Sequence, residues 1–366
     1  MTYQRVQFMA EGSQFELKKN MLSNNEYRVP IIDTPIKPRE NFKHVWKKET
    51  PVWVPNSLLE FDSIGLGKHT RFEHLIAKKE RFDFVDLFGC EWTYIPEVGG
   101  SMLKPGTCLL DDILDWEKVV KLPDWKNYDF KTKADEFNNN RKNPDSVLSI
   151  DIGSTGTEVL VALLGGYEQG MIAMAVEPEA VLDLMYAINE NMAEKFDQVL
   201  VHYPSVDMIT VHDDWANAKD TFFSEKYFED MVYEPTYKLV QHIKTSSGER
   251  CFQLHCCGKM ERFLPYIVDI GIDMLQIQRN INDFPMIKQK YGDKVGFGAG
   301  LEGVAMGAGL DRETAPVKVR ETIDLYGKGG GFYISMYGGM DEETLWDAAY
   351  EAYCYSREYY DIERGI

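Results

Sequence analysis

The residues of this chain best placed to do chemistry are a histidine and a cysteine two positions apart, His255 and Cys257. They close the run Phe252-Gln253-Leu254-His255-Cys256-Cys257-Gly258, in which a short apolar stretch ends on polar groups. Along an extended strand, side chains two apart project from the same side. An imidazole nitrogen and a thiolate presented in this way can share a tetrahedral zinc ion, at about 2.0–2.1 Å to nitrogen and about 2.3 Å to sulfur. Two ligands on one strand end leave positions open for further ligands and for substrate, which is the pattern of a catalytic rather than a structural zinc. The competing reading is a buried histidine beside an inert core cysteine.

A second polar cluster, His212-Asp213-Asp214, follows the apolar run Met208-Ile209-Thr210-Val211. Neighbouring carboxylates raise one another's proton affinity, so Asp213 or Asp214 suits a general acid or an anchor for a substrate hydroxyl, with His212 a catalytic candidate beside them. An aspartate in this position can equally cap the helix that follows. Asp151 after Ser149-Ile150, and Glu302 at the end of Val295–Leu301, stand at similar exits and are candidate substrate-binding groups. Trp215, Tyr333 and Tyr337 lie near the same exits, where they line an aromatic-binding pocket or pack in the core. Gly327-Lys328-Gly329-Gly330-Gly331 looks like a phosphate cradle, but it precedes an apolar run and no Ser or Thr follows its lysine. It reads as a tight turn from helix to strand.

The elements that would position these groups alternate along the chain. Strand-length apolar runs occur at Phe84–Phe88, Val147–Ile150, Met208–Val211, Phe252–Leu254, Met274–Ile277, Val295–Phe297 and Phe332–Ile334, with a weaker one at Trp92–Ile95. Helical spacing appears between them. Pro178–Glu194 repeats Val181, Leu182, Met185, Ile188 and Met192; Glu225–Lys244 repeats Met231, Tyr237, Leu239, Val240 and Ile243; Glu261–Ile270 ends on Gly271. Strand and helix in alternation imply parallel strands and right-handed crossovers. The count favours a (β/α)8 TIM barrel, an α/β fold, over residues 81–366, with catalytic groups at the C-terminal ends of strands. Residues 1–80, rich in proline and charge, read as an N-terminal extension packed on that barrel.

Composition sets the outer bounds. Forty Lys and Arg against 59 Asp and Glu leave a formal net charge of −19, which disfavours nucleic acid and anionic membrane surfaces as partners. Hydrophobic residues make up 44% of the chain, enough for a large core. Met1–Asn20 holds no apolar stretch of signal-peptide length, and no window has the roughly 20 apolar residues of a membrane span. Of six cysteines, three crowd into positions 251–257, poor spacing for disulfides, so we expect a reducing, cytoplasmic setting.

Several of these segments together resemble the uroporphyrinogen decarboxylase superfamily. They are Leu254–Gly258, Phe263–Ile267, Ile270–Leu275, Asp213-Asp214-Trp215-Ala216 with Phe228, Tyr233 and Pro235 downstream, and Gly300-Leu301-Glu302. The likeness runs over roughly residues 145 to 360 and implies a (β/α)8 barrel. The metal-free decarboxylases of the superfamily hold an anionic tetrapyrrole with an arginine-rich N-terminal stretch, and residues 1–80 contain none. The corrinoid-linked methyltransferases bind zinc through a His-x-Cys pair, matched by His255 and Cys257, plus a later cysteine. That later position falls near Tyr337-Gly338-Gly339, where there is no cysteine, a departure from the thiol-methylating members. In some first methyltransferases of O-demethylases, a glutamate precedes the zinc-binding histidine with 20 residues between the two, as Glu234 does here; a second glutamate position falls on Lys219, with Asp220 adjacent. The resemblance therefore implies zinc on His255, Cys257 and Glu234. It implies methyl transfer from a small methylated substrate, an aryl methyl ether, to the cobalt of a corrinoid (cobalamin) on a separate protein. The alternatives are a methylcobamide:thiol methyltransferase, a metal-free decarboxylase and a non-catalytic binding barrel.

Overall fold

The computed structural model describes residues 15–19, 26–30, 32–66, 80–96, 100–141, 143–303, 309–336 and 340–365. Twelve strands lie among them: β1 (Phe15–Lys19), β2 (Glu26–Pro30), β3 (Phe61–Gly65), β4 (Phe82–Val85), β5 (Glu91–Ile95), β6 (Gly100–Leu103), β7 (Val147–Ser154), β8 (Met208–His212), β9 (Cys251–Cys256), β10 (Met274–Ile277), β11 (Gly296–Ala299) and β12 (Phe332–Ile334). Seven form one sheet in the order β12-β11-β10-β9-β8-β7-β3. The pairs β8–β9, β10–β11 and β11–β12 are parallel. From β7 to β12 each strand lies beside its predecessor in sequence, without the order reversal of a doubly wound sheet. Helices fill the connections, among them Pro178–His202 before β8 and Glu234–Ser247 before β9. The winding is TIM-barrel-like.

The closed eight-stranded barrel expected from sequence is corrected. Among the described residues the ladder has seven strands. Beyond β12 there is one parallel bridge, Asn56 to Ile334, flanked by Ser57 N–H to Ile334 O (3.0 Å) and Ile334 N–H to Pro55 O (2.9 Å). Two of the expected barrel strands, Phe84–Phe88 and Trp92–Ile95, fall instead in a separate antiparallel meander, β4-β5-β6. Their burial explains the difference. β4 alternates half-buried and exposed positions, as a one-sided antiparallel strand does, whereas β8 is buried at all five positions. Phe61–Gly65, read as part of the outer extension, is a strand of the large sheet.

The chain divides into two compact units. One comprises Met1–Ser63, Arg141–Ser149 and Asp273–Ile366; the other comprises Ile64–Asn140 and Ile150–Ile272. In the second, helix Pro178–His202 starts on proline and buries Val181, Leu184, Met185, Ile188 and Met192 at helical spacing. Gly271 ends helix Leu264–Ile270 in the left-handed conformation. In the first, Gly329, Gly330 and Gly331 turn the chain from helix Thr314–Tyr326 into β12 at φ of +71°, +73° and +65°. A Cβ on Gly330 would meet Glu49 O at 2.2 Å, so the glycine run serves a backbone approach. Among the described residues no single helix is long and apolar enough to cross a membrane.

Candidate metal centre

β8 and β9 carry the groups that matter, and their register places them. His212 lies directly across from His255 in the parallel pairing, and the two rings sit 4.4 Å apart, tilted by 37°. Past the strand ends, Asp213 N–H donates to His255 O (3.1 Å), and the chain then delivers Asp214. Asp214, His255 and Cys257 each present one ligand atom, and these atoms lie within 4.8 Å of one another. His255 Nε2 and Cys257 Sγ are 3.3 Å apart, as same-side projection from a strand end requires. Asp214 Oδ1 accepts Cys257 N–H at 2.7 Å, which ties the two strand ends together. One imidazole nitrogen, one sulfur and one carboxylate oxygen are a donor set that suits zinc. Asp214 is buried, while His255 and Cys257 are half-buried, so the group has access to solvent on one side.

The neighbouring groups support this centre. His212 Nε2 is 2.6 Å from Asp151 Oδ2, both side chains buried. Burial pushes Asp151 upward, but the charge and hydrogen bond of His212, the Gly153 N–H and the charge of His255 outweigh it and hold the carboxyl below its ordinary range. Asp151 is therefore turned to His212. Asp213 points away from Asp214 and meets the start of helix Gly156–Leu163, accepting Glu158 N–H at 2.9 Å. Burial, with the charge of Glu158, drives Asp213 well above the usual carboxylate range, against hydrogen bonds from the backbone of Glu158 and Thr157. Cys256 points the other way from its neighbours. Its sulfur accepts Trp215 N–H (3.3 Å) and lies 3.1 Å from Met260 Sδ, and burial beside Asp214 raises its thiol well above normal. Cys257, not Cys256, is the available sulfur.

Other expected site residues lie elsewhere. Glu234, expected as third ligand, heads a surface helix with half its side chain exposed and Lys238 at 3.9 Å. It follows a π-helical turn, Phe228–Tyr233, and its carboxylate faces solvent. The residue that lies with His255 and Cys257 is Asp214, which the sequence offers for acid catalysis. Trp215 is fully buried against Phe228 (4.9 Å) and Phe263 (6.2 Å) in an aromatic core. In the other unit, Tyr333 is buried against Phe42 and Phe61 and covers Gly298. Glu302 there is held by Arg279 Nη1 at 2.8 Å and by the Tyr326 hydroxyl. Tyr337 lies outside the described residues. The signal that could have found Asp214 was the adjacency of two strand exits, which becomes visible once β8 and β9 are paired.

No curated protein matches the sequence. Among solved structures, a methyltransferase from Methanosarcina mazei superposes with a TM-score of 0.57 at 12% identity, covering 89% of this chain and 99% of that one. The likeness shows a shared fold. A putative vitamin-B12-independent methionine synthase from Listeria monocytogenes (TM-score 0.39, 13% identity, 64% of this chain and 69% of that one) and a β-glucosidase from Pyrococcus furiosus (0.40, 9%, 87% and 84%) are more distant. The family model for uroporphyrinogen decarboxylase (URO-D) matches residues 88–335. That match takes in β5 to β12 and all three residues of the candidate metal centre, and the chain belongs to the uroporphyrinogen decarboxylase family.

Proposed function

We propose that this chain is a zinc-dependent methyltransferase. It takes the methyl group of a small methylated substrate, an aryl methyl ether, and passes it to the cobalt of a corrinoid carried by a separate protein. The observation that carries the reading is the convergence of Asp214, His255 and Cys257 within 4.8 Å at the exits of β8 and β9. A metal-free decarboxylase has no use for a nitrogen, sulfur and oxygen donor set at this position. The fold shared with the M. mazei methyltransferase supports the same reaction class.

His255, Cys257 and Asp214 would hold the ion, with one position left for the ether oxygen. Zinc bound there supplies Lewis acidity toward the oxygen that becomes the phenolate leaving group. The chain's own part is to hold the ligands and keep protons in place. Asp151 fixes the ring of His212, which lies tilted beside His255 at the edge of the donors. The acidic chain, with net charge −19, suits a neutral methoxy compound better than a polycarboxylate.

The test is elemental analysis of the purified protein, followed by incubation with a neutral methoxyphenol and cob(I)alamin while methylcobalamin absorbance is recorded. We expect about one zinc per chain, a rise in methylcobalamin, and loss of both in Asp214→Ala. A metal-free protein that releases carbon dioxide from a tetrapyrrole carboxylate would overturn the proposal in favour of the decarboxylase reading.

A further inference from the structure

Asp213 sits between two residues placed in or beside the metal centre, yet its carboxyl group turns the opposite way. It accepts Glu158 N–H at 2.9 Å, at the first turn of helix Gly156–Leu163. The site is built for it. Gly156 has φ of +51°, and a Cβ there would stand 2.3 Å from Asp213 Oδ2. Only glycine leaves room for the carboxyl group at that approach. The receiving turn is itself held from two sides. Asn189 Oδ1, buried on helix Pro178–His202, accepts Thr155 Oγ1–H at 2.7 Å and Gly156 N–H at 3.1 Å. Thr155 N–H donates to His212 O at 3.0 Å.

Residues 212–214 are thus pinned one after another. His212 is fixed by Asp151, Asp213 by the 155–158 turn, and Asp214 by Cys257 N–H. The two consecutive carboxyl groups take partners on different elements, Asp213 on Glu158 N–H and Asp214 on Cys257 N–H. Seating Asp213 on the helix start therefore orients Asp214 toward His255 and Cys257. We propose that Asp213 is a positioning residue for the metal centre, acting through the turn at Gly156–Glu158 to aim the Asp214 carboxylate at the ion. The inference rests on the metal-site reading above, and it replaces the role of Asp213 as proton donor.

Cobalt(II) is the probe, added to metal-depleted full-length protein, with affinity and the visible absorption bands of the bound ion as readouts. Asp213→Ala is expected to weaken cobalt binding by about 10- to 100-fold, the usual loss when a partner that orients a ligand is removed. It should also change the absorption bands, because the carboxylate of Asp214 leaves the ligand set. Asp213→Asn keeps an acceptor oxygen for Glu158 N–H and should stay close to wild type in both. Gly156→Ala pushes the Asp213 carboxyl group off its seat without altering it, and should behave like Asp213→Ala. Circular dichroism and a thermal melt establish that each variant is folded, and if Asp213→Ala does not fold, Gly156→Ala decides. A folded Asp213→Ala with wild-type affinity and spectrum, whatever its melting temperature, overturns the positioning role. So does an Asp213→Asn as impaired as the alanine, since charge and not aim would then be at work. A wild-type protein that takes up no cobalt overturns the metal-site reading itself, a result distinct from either.

Discussion

The exits of β8 and β9 in one unit and the exit of β11 in the other both gather polar side chains, and they do so to opposite ends. At β11 the centre of the cluster is a cation already present. The buried Arg279 guanidinium donates to Glu302 Oε2 at 2.8 Å, to Gly300 O at 3.3 Å and to Leu301 O, while the Tyr326 hydroxyl completes Glu302. Burial, with the Glu302 carboxylate beside it, pushes the Tyr326 hydroxyl far up, so the phenol stays protonated as a donor. At β8 and β9 the groups that converge are a carboxylate, an imidazole and a thiol, all of them metal donors. One cluster is an ion-pair network that fastens loops; the other brings together three groups of kinds that can bind a metal ion. The two strand exits thus differ in the kind of group they gather, a cation with its acceptors at β11 and three possible metal donors at β8 and β9.

The largest expected effect would break that contrast or establish it. His255→Ala and Cys257→Ala should each empty the centre and abolish methyl transfer, while the far-ultraviolet spectrum and melting behaviour stay close to wild type. Half-buried ligands at a strand end add little to the core, and a loss of the fold in both variants would make the cluster structural like that of β11. Next in size, Arg279→Ala should destabilise the protein by roughly 2–4 kcal/mol. This lies toward the low side for a buried ion pair, because Glu302 keeps 30% of its side chain exposed. Urea unfolding reads the stability, and metal content should not move; a parallel fall in bound zinc would erase the distinction between the clusters.

A third test concerns a half-buried cation elsewhere in the Arg279 unit. Lys288 is packed against the Gly330 carbonyl at the 327–331 turn, and burial lowers its pKa to about 8, with Glu363 opposing. Between about pH 8 and 10.5 the unfolded chain binds more protons at this residue than the folded one. Stability should therefore rise with pH through that window, by up to roughly 3 kcal/mol, and Lys288→Met should flatten the rise. A slope unchanged in the variant would mean that Lys288 keeps its proton, held as firmly as the guanidinium of Arg279. The smallest effect is expected at Glu234. Glu234→Gln removes an exposed charge 3.9 Å from Lys238 and should change stability by less than about 0.5 kcal/mol, with metal content unaltered. A lost zinc in that variant would restore Glu234 to the ligand set and displace Asp214.

Much of this was legible in local sequence, for physical reasons that differ by residue. Strand period alone put His255 and Cys257 on one side, and the structure keeps them 3.3 Å apart. Apolar runs bounded by polar exits located β7 to β12, and helical spacing after Pro178 located the helix that precedes β8. Gly271 and the 327–331 glycines announced a helix end and a turn, because left-handed backbone selects glycine wherever it occurs. What stayed hidden depends on partners distant in the chain. Whether Phe82–Val85 joins a parallel sheet or a meander is decided by its pairing with β5, and apolar content does not encode that choice. The entry of Phe61–Gly65 into the large sheet rests on pairing with β7, more than 80 residues away. The third donor is the clearest case. Asp214 and Cys257 are brought together by the register that sets His212 across from His255, while Asp213, chemically identical and adjacent, is claimed by a helix start at Glu158. Residue type and spacing determined which groups could bind an ion; which of two neighbouring carboxylates joins His255 and Cys257 was decided by strand pairing and packing.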